Sequence, residues 1–277
     1  MNSIRHRFFQ NKTAVLTSTI LLLIVLSAVL APLLVAYGPT EMAKESQLVS
    51  SGNGHIMGTD QFGRDILSRV LYGARVSLWV GFSSVAVSAA AGTILGLLAG
   101  FFGKWLDTLI MRCMDVFFAF PEILLALAIV ATFGPGTSKT ILAIAIVYVP
   151  VFTRTVRGAV LSVKHLEYVE SSIAVGARTG RILFKDILPN INAPLLVQVS
   201  MAISGAILTE SALSFLGLGI QPPNPSWGGM ISEARRYMEL APWTIIWPAA
   251  VMTVTILAFN LFGDAMRDLI DPRHKGR

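Results

Sequence analysis

Cysteine is almost missing: Cys113 is the only one in 277 residues, which excludes an internal disulfide and any metal site built from paired thiolates. Charge is scarce as well. Only 14% of residues are Asp, Glu, Lys or Arg against 54% hydrophobic, and the mean hydropathy is +0.66, which excludes an ordinary soluble domain. No Walker-type phosphate loop occurs, so the chain has no nucleotide-binding motif of its own. The four histidines, His6, His55, His165 and His274, all lie outside the apolar runs, leaving no nucleophile–base set for a membrane-embedded hydrolase. Alternating segments of about ten residues, the mark of outer-membrane strands, are missing too. The net charge of +6 comes from short basic clusters between apolar runs, and not from a stripe that would track nucleic acid.

What is present is a series of apolar runs, each near the roughly 20 residues a helix needs to cross a bilayer. They lie at about 13–37, 76–101, 106 onward, 140–160, 193–216 and 243–262. The expectation is an all-α integral membrane protein of about six transmembrane helices. Arg5, Arg7 and Lys12 precede the first run, which is too long for a cleavable signal and reads as an uncleaved span that tolerates Pro32 near its outer end. With six spans, lysine and arginine divide 15 to 7 in favour of the side that carries both termini, which the positive-inside rule assigns to the cytoplasm. The expected division is an N-terminal part, residues 1–75, holding the tail, first span and an extracytoplasmic loop, followed by a transmembrane core, residues 76–277.

Several polar features stand out from the apolar background. Between residues 38 and 75, Gly58, Asp60, Gly63 and Asp65 predict tight turns, with Asp65 capping a segment that carries Ile66, Leu67, Val70 and Leu71. His55, Asp60 and Asp65 lack metal-site spacing, so a turn network with an Arg64 ion pair is the preferred reading and no metal is assigned. Gly92, Gly96 and Gly100 recur every four residues, one smooth face for close helix packing. Asp115, three residues after Arg112, is placed to neutralise it on one helix face. Phe120-Pro121-Glu122 predicts a kink with a carboxylate deep in the third span, and Glu210 is a lone carboxylate in the fifth; both are candidate pathway-lining groups. Trp227, in a turn-rich segment, suits a membrane interface.

The most informative stretch is residues 165–189, between the fourth and fifth spans. Leu166, Val169 and Ile173 are spaced as one apolar helix face, with Glu167 and Glu170 off it. Gly176 permits a change of direction or a close backbone approach. Arg178, Arg181 and Lys185 share a second face, Leu183 and Ile187 another, and Pro189 is expected to stop the helix. A helix, a turn and a second helix held at both ends by spans suits docking to a soluble partner or, equally on physics alone, lying on lipid headgroups.

Here the sequence resembles the inner-membrane permeases of bacterial ABC importers, whose cytoplasmic motif is Glu-Ala-Ala, three residues, Gly, nine residues, then Ile-x-Leu-Pro. This chain has Glu170-Ser171-Ser172, Gly176 and Leu188-Pro189 at that spacing, with serines for both alanines and Ile187 one place late. Residues 57–69, Tyr72-Gly-Ala-Arg-Val-Ser-Leu78, Ser214-Phe-Leu-Gly-Leu-Gly219, Trp227-Gly228 and Asp271-Pro-Arg273 are similar to the dipeptide, oligopeptide and nickel importer subfamily, in particular its second permease. The resemblance implies the type I importer permease fold, with 165–189 as a coupling helix acting through Glu170, Ser171, Ser172, Gly176, Leu188 and Pro189. It also implies a homologous permease partner, two ABC ATPase subunits, an extracytoplasmic substrate-binding protein and the bacterial cytoplasmic (inner) membrane. The chain would bind no cofactor, ATP and Mg being held by the ATPases, and would be a transport subunit and not an enzyme. Peptide, nickel and metallophore remain open as cargo. The alternative from another class is a proton-coupled secondary transporter using Glu122 and Glu210 as relays.

Overall fold

The computed structural model describes residues 2–52 and 54–270; Asp271-Pro-Arg273 and the basic residues beyond lie outside them. Among the described residues the only extended pairings are two isolated bridges, Gly52 with His55 and Thr59 with Asp65. Everything else of regular structure is helical.

Helix α1 (Asn2–Gln10) leads into α2 (Lys12–Val29), whose start is capped by Asn11 accepting from the Ala14 amide at 3.1 Å. The first apolar run was expected to be one span through Tyr37. It breaks instead at Leu30, and α3 (Ala31–Leu34) begins anew with Pro32 in its first turn. A proline has no amide to continue the ladder but fits a helix start. Helix α4 (Ile66–Phe102) is capped by Asp65, which accepts from the Ser68 amide at 2.8 Å. Its 37 residues make it about 55 Å long, far more than the roughly 30 Å of hydrocarbon. It also runs unbroken through residue 75, so the expected division there follows no break in the chain.

Helices α5 (Lys104–Phe118) and α6 (Glu122–Phe133) are bent by 89° at the break between them and together are apolar enough for one broken span or a re-entrant loop. The predicted kink is thus a full break, because the residue before Pro121 is disfavoured in the helical region and Pro121 is positioned to start a new helix. Helix α7 (Thr137–Val163) is followed by α8 (Glu167–Ala174) and α9 (Thr179–Arg181). A π-helical turn over Ile182–Ile187 and a 3-10 turn over Leu188–Ile191 then lead directly into α10 (Asn192–Phe215). Helix α11 (Trp227–Ala234) and the long α12 (Trp243–Ile270) complete the chain. Five helical stretches are long and apolar enough to cross a membrane, and the broken pair makes six.

The tightest packing joins α4 to α7, and the glycine stripe is the reason. A Cβ on Gly96 would lie 2.7 Å from both the Thr153 carbonyl and Val156 Cβ, one on Gly100 would lie 2.7 Å from Val160 Cβ, and one on Gly92 would overlap Phe152. Only glycine lets the two backbones approach this closely. Around this pair, Val80, Ile144, Phe152, Ile207 and Leu213 form the centre of the main core, with α12 and α2 packed outside it.

Candidate functional site

Stretch 165–189 folds as helix, turn and helix, seated on the ends of α4 and α7. Lys164 donates to the Gly100 carbonyl at 3.2 Å. Val169, Ile182, Leu183, Ile187 and Ile191 are buried in one cluster with Leu97, Val156 and Val160. The apolar face expected from Leu166, Val169 and Ile173 therefore divides. Val169 turns inward, whereas Leu166, Ile173 and Val175 are exposed, Val175 at 83%.

Helix α8 ends in a paired cap. The Gly176 amide donates to the Ile173 carbonyl and the Ala177 amide to the Ser172 carbonyl, both at 3.0 Å, with Gly176 at φ +74°. That is the Schellman arrangement, which places a left-handed residue just past the helix. A Cβ on Gly176 would meet nothing within 4 Å, so of the two roles expected for this glycine the change of direction applies within this chain.

Glu170, Ser171, Gly176 and Pro189 are exposed, and Ser172 and Leu188 are half-buried. Arg178, Arg181 and Lys185 are exposed as well. Pro189 does not stop the helix, contrary to expectation. Without a proline amide the regular ladder cannot continue, and the chain shifts from π to 3-10 spacing across this point before resuming as α10.

The two intramembrane carboxylates differ sharply. Glu210 is fully buried. It accepts from Ser214 Oγ at 2.7 Å and Ser77 Oγ at 3.1 Å. These serines in turn accept from the Ile220 amide at 3.1 Å and the Trp227 amide at 3.3 Å. Glu210 presents no surface to a pathway, and that part of the expectation is corrected: its serine relays tie the loop before α11 to α4 and α10. Ser214, four residues on, was legible as a partner; Ser77, 133 residues away, was not. Glu122 is exposed at the break between α5 and α6. Its Oε1 accepts from the Tyr148 hydroxyl at 2.6 Å and from Thr209 Oγ1 at 2.7 Å, neither of which local sequence spacing signals.

Other charges pair across helices. Arg112 lies 3.9 Å from Asp115 with both exposed, but Asp115 makes its close contact, 2.6 Å, to Arg154. Asp107 is gripped by Nε and Nη2 of Arg157. The expected neutralisation within α5 is thus mainly one between α5 and α7.

In the 38–65 loop, Asp60 accepts from Arg64 Nε at 2.6 Å, and Glu233 on α11 accepts from Arg64 at 2.6 Å and Arg69 at 3.0 Å. His55 Nδ1 lies 2.8 Å from Asp65. This is the turn network with an Arg64 ion pair, extended to α11 through Glu233, a partner that local spacing does not signal. Trp227 is fully buried, donating from Nε1 to the Val70 carbonyl at 3.1 Å. It therefore anchors α11 inside the protein, not at a membrane interface, because α11 folds back toward α4.

Five or six candidate spans built around a glycine-packed helix pair, with a helix and turn at one end, define a multi-pass membrane protein. Residues 92–276 match the model of the binding-protein-dependent transport system inner membrane component, and residues 1–49 match the N-terminal transmembrane domain of oligopeptide transport permease C. The chain belongs to the family of binding-protein-dependent transport system inner membrane components. It is 45% identical to the dipeptide transport system permease protein of Alkalihalophilus pseudofirmus over 96% of this chain and 88% of that one. It is 45% identical to the di/tripeptide transport system permease protein of Pseudomonas aeruginosa, over 97% and 90%. A glutathione transport system permease protein of Pectobacterium atrosepticum matches at 45% over 97% and 90%. In fold, the chain is similar to a solved structure of the MetNI methionine ABC transporter in an inward-facing conformation, with a TM-score of 0.59 at 17% identity over 73% of this chain and 97% of that one. The protein is a permease subunit of a bacterial ABC importer, a transport subunit and not an enzyme, which works with ATPase and substrate-binding components. The proton-coupled alternative finds no support in these relationships.

Proposed function

We propose that this chain forms half of the pathway of a peptide importer, paired with a homologous permease subunit, above two ABC ATPases and below an extracytoplasmic binding protein. What supports the peptide class is that relatives at 45% identity over nearly their full length are peptide and glutathione permeases; no feature favours nickel or a metallophore. The observation that carries the coupling role is α8 itself, a short helix fixed from behind by Val169 and presenting Leu166, Ile173 and Val175 outward beside Glu170. Exposed apolar knobs flanked by charge suit a groove in a soluble partner. In this reading Glu170, Ser171, Ser172 and Gly176 form the docking helix and its cap, while Leu188 and Pro189 set its link to α10. ATP and Mg are bound by the ATPase subunits, this chain holds no cofactor, and α8 and both termini face the cytoplasm of the bacterial inner membrane.

The test is uptake by the complete complex in proteoliposomes. Dipeptide import requires ATP and all partners, and Glu170→Lys abolishes it while the variant still inserts in the membrane. Import driven by a proton gradient with this chain alone would overturn the reading.

A further inference from the structure

Glu122 is a carboxylate at the break of a bent span, held from behind and open in front. Both hydroxyl donors, Tyr148 on α7 and Thr209 on α10, go to Oε1; among the described residues Oε2 accepts no hydrogen bond and no cation forms an ion pair with either oxygen. Tyr148 lies about 16 Å along α7 from its start, and Thr209 about 9 Å from the end of α10, at 1.5 Å per residue. That places Glu122 between the ends of both helices, where an ionisable side chain is rare and faces the bundle interior or a water-filled cavity. Phe118, Phe120, Ile123 and Leu124 around it are exposed, so the face stands open in this subunit. Glu210, by contrast, has its hydrogen bonds closed by serines within the chain.

We propose that Glu122 faces the translocation pathway and accepts, through Oε2, the ammonium group of the transported solute, with Tyr148 and Thr209 as positioning residues that aim it. Resting on the peptide reading, the ligand group is the α-amino terminus of a peptide. A fixed carboxylate selects for an ammonium by charge-assisted hydrogen bonding, and the apolar surround suits the neighbouring side chain.

The experiment uses the complete reconstituted complex with its loaded binding protein and a dipeptide as probe. In a Cys113→Ser background, Glu122→Cys is labelled by a membrane-impermeant quaternary-ammonium thiol reagent. Glu122→Gln lowers dipeptide uptake at least ten-fold, with the complex assembled and ATP hydrolysis still stimulated by the binding protein. Tyr148→Phe raises KM several-fold with the maximal rate little changed. An unlabelled cysteine, wild-type uptake by Glu122→Gln, or failure of that variant to assemble, as when a cation of the partner permease pairs with Glu122, overturns the proposal. A wild-type complex that carries no peptide refutes the peptide reading first, and this assignment with it.

Discussion

The cap at Gly176 makes a graded prediction. The residue sits at φ +74°, and a Cβ there would meet nothing within 4 Å, so substitution meets backbone strain and no collision. Placing an ordinary L-residue in the left-handed region costs about 1–2 kcal/mol, which shifts the population of the capped turn by roughly 5- to 30-fold. Asparagine visits this region more readily than alanine, and a β-branched residue is the worst suited. ATP-dependent uptake should therefore fall in the order Gly, Asn, Ala, Val, and it should fall together with the stimulation of ATP hydrolysis by the binding protein. The variants are compared at equal membrane abundance, so that folding losses are removed. Alanine outperforming the larger asparagine would refute the conformational explanation, and would mean that a partner surface presses against this position.

Two further outcomes follow from the packing. Gly96→Leu drives a side chain into Thr153 and Val156, and should cost at least the ~1–3 kcal/mol typical of overpacking; Gly158→Ala, on the same α4–α7 pair but with nothing within 4 Å of its Cβ position, should be neutral or mildly stabilising, and thermal unfolding in detergent separates them. Glu233→Ala leaves Arg64 and Arg69, each 3% exposed at the side chain, with Asp60 as their remaining acidic partner. Because Glu233 itself is 28% exposed, the loss should be about 2–3 kcal/mol, at or below the low end for breaking a buried pair, and a matching loss of melting temperature checks it.

Features governed by local spacing were readable in the sequence. Most of the spans, the Gly92–Gly96–Gly100 face, the Asp65 cap and a change of direction at Pro121, though not its full 89° extent, each depend on neighbours within a turn or two. Long-range pairings were not readable. Arg64 meets Glu233 across 169 positions, and Glu122 meets Thr209 across 87. Trp227 shows the same limit in another form, since an aromatic in a turn-rich segment has the composition of an interfacial anchor until α11 is seen to fold back against α4. Pro189 misled for a different reason. A missing amide ends a regular ladder, but a chain can change spacing and carry on, and the buried Ile182, Leu183, Ile187 and Ile191 hold it in helical form across the fault.

That fault bears on how a push at α8 would travel. The cluster under α8 rests on Leu97, Val156 and Val160, residues of the two helices most closely joined in the protein, so α4 and α7 respond as one body. Helix α10 packs directly on α4 and α7, but its backbone link to α8 runs through the π and 3-10 turns, where the regular i to i−4 ladder is interrupted and bending costs less. The α5–α6 break adds a second yielding point. Load applied at Glu170 would therefore reach α4 and α7 first, and any change of angle of α10 or α6 against them would be taken up at these two breaks. Glu122 lies where those two parts meet, bonded to Tyr148 on the rigid side and Thr209 on the yielding side. On the proposed coupling role, a stroke that changes the angle between α7 and α10 would stretch one of its two hydroxyl contacts, so the same motion that reorients the pathway would alter the group assigned to grip the solute.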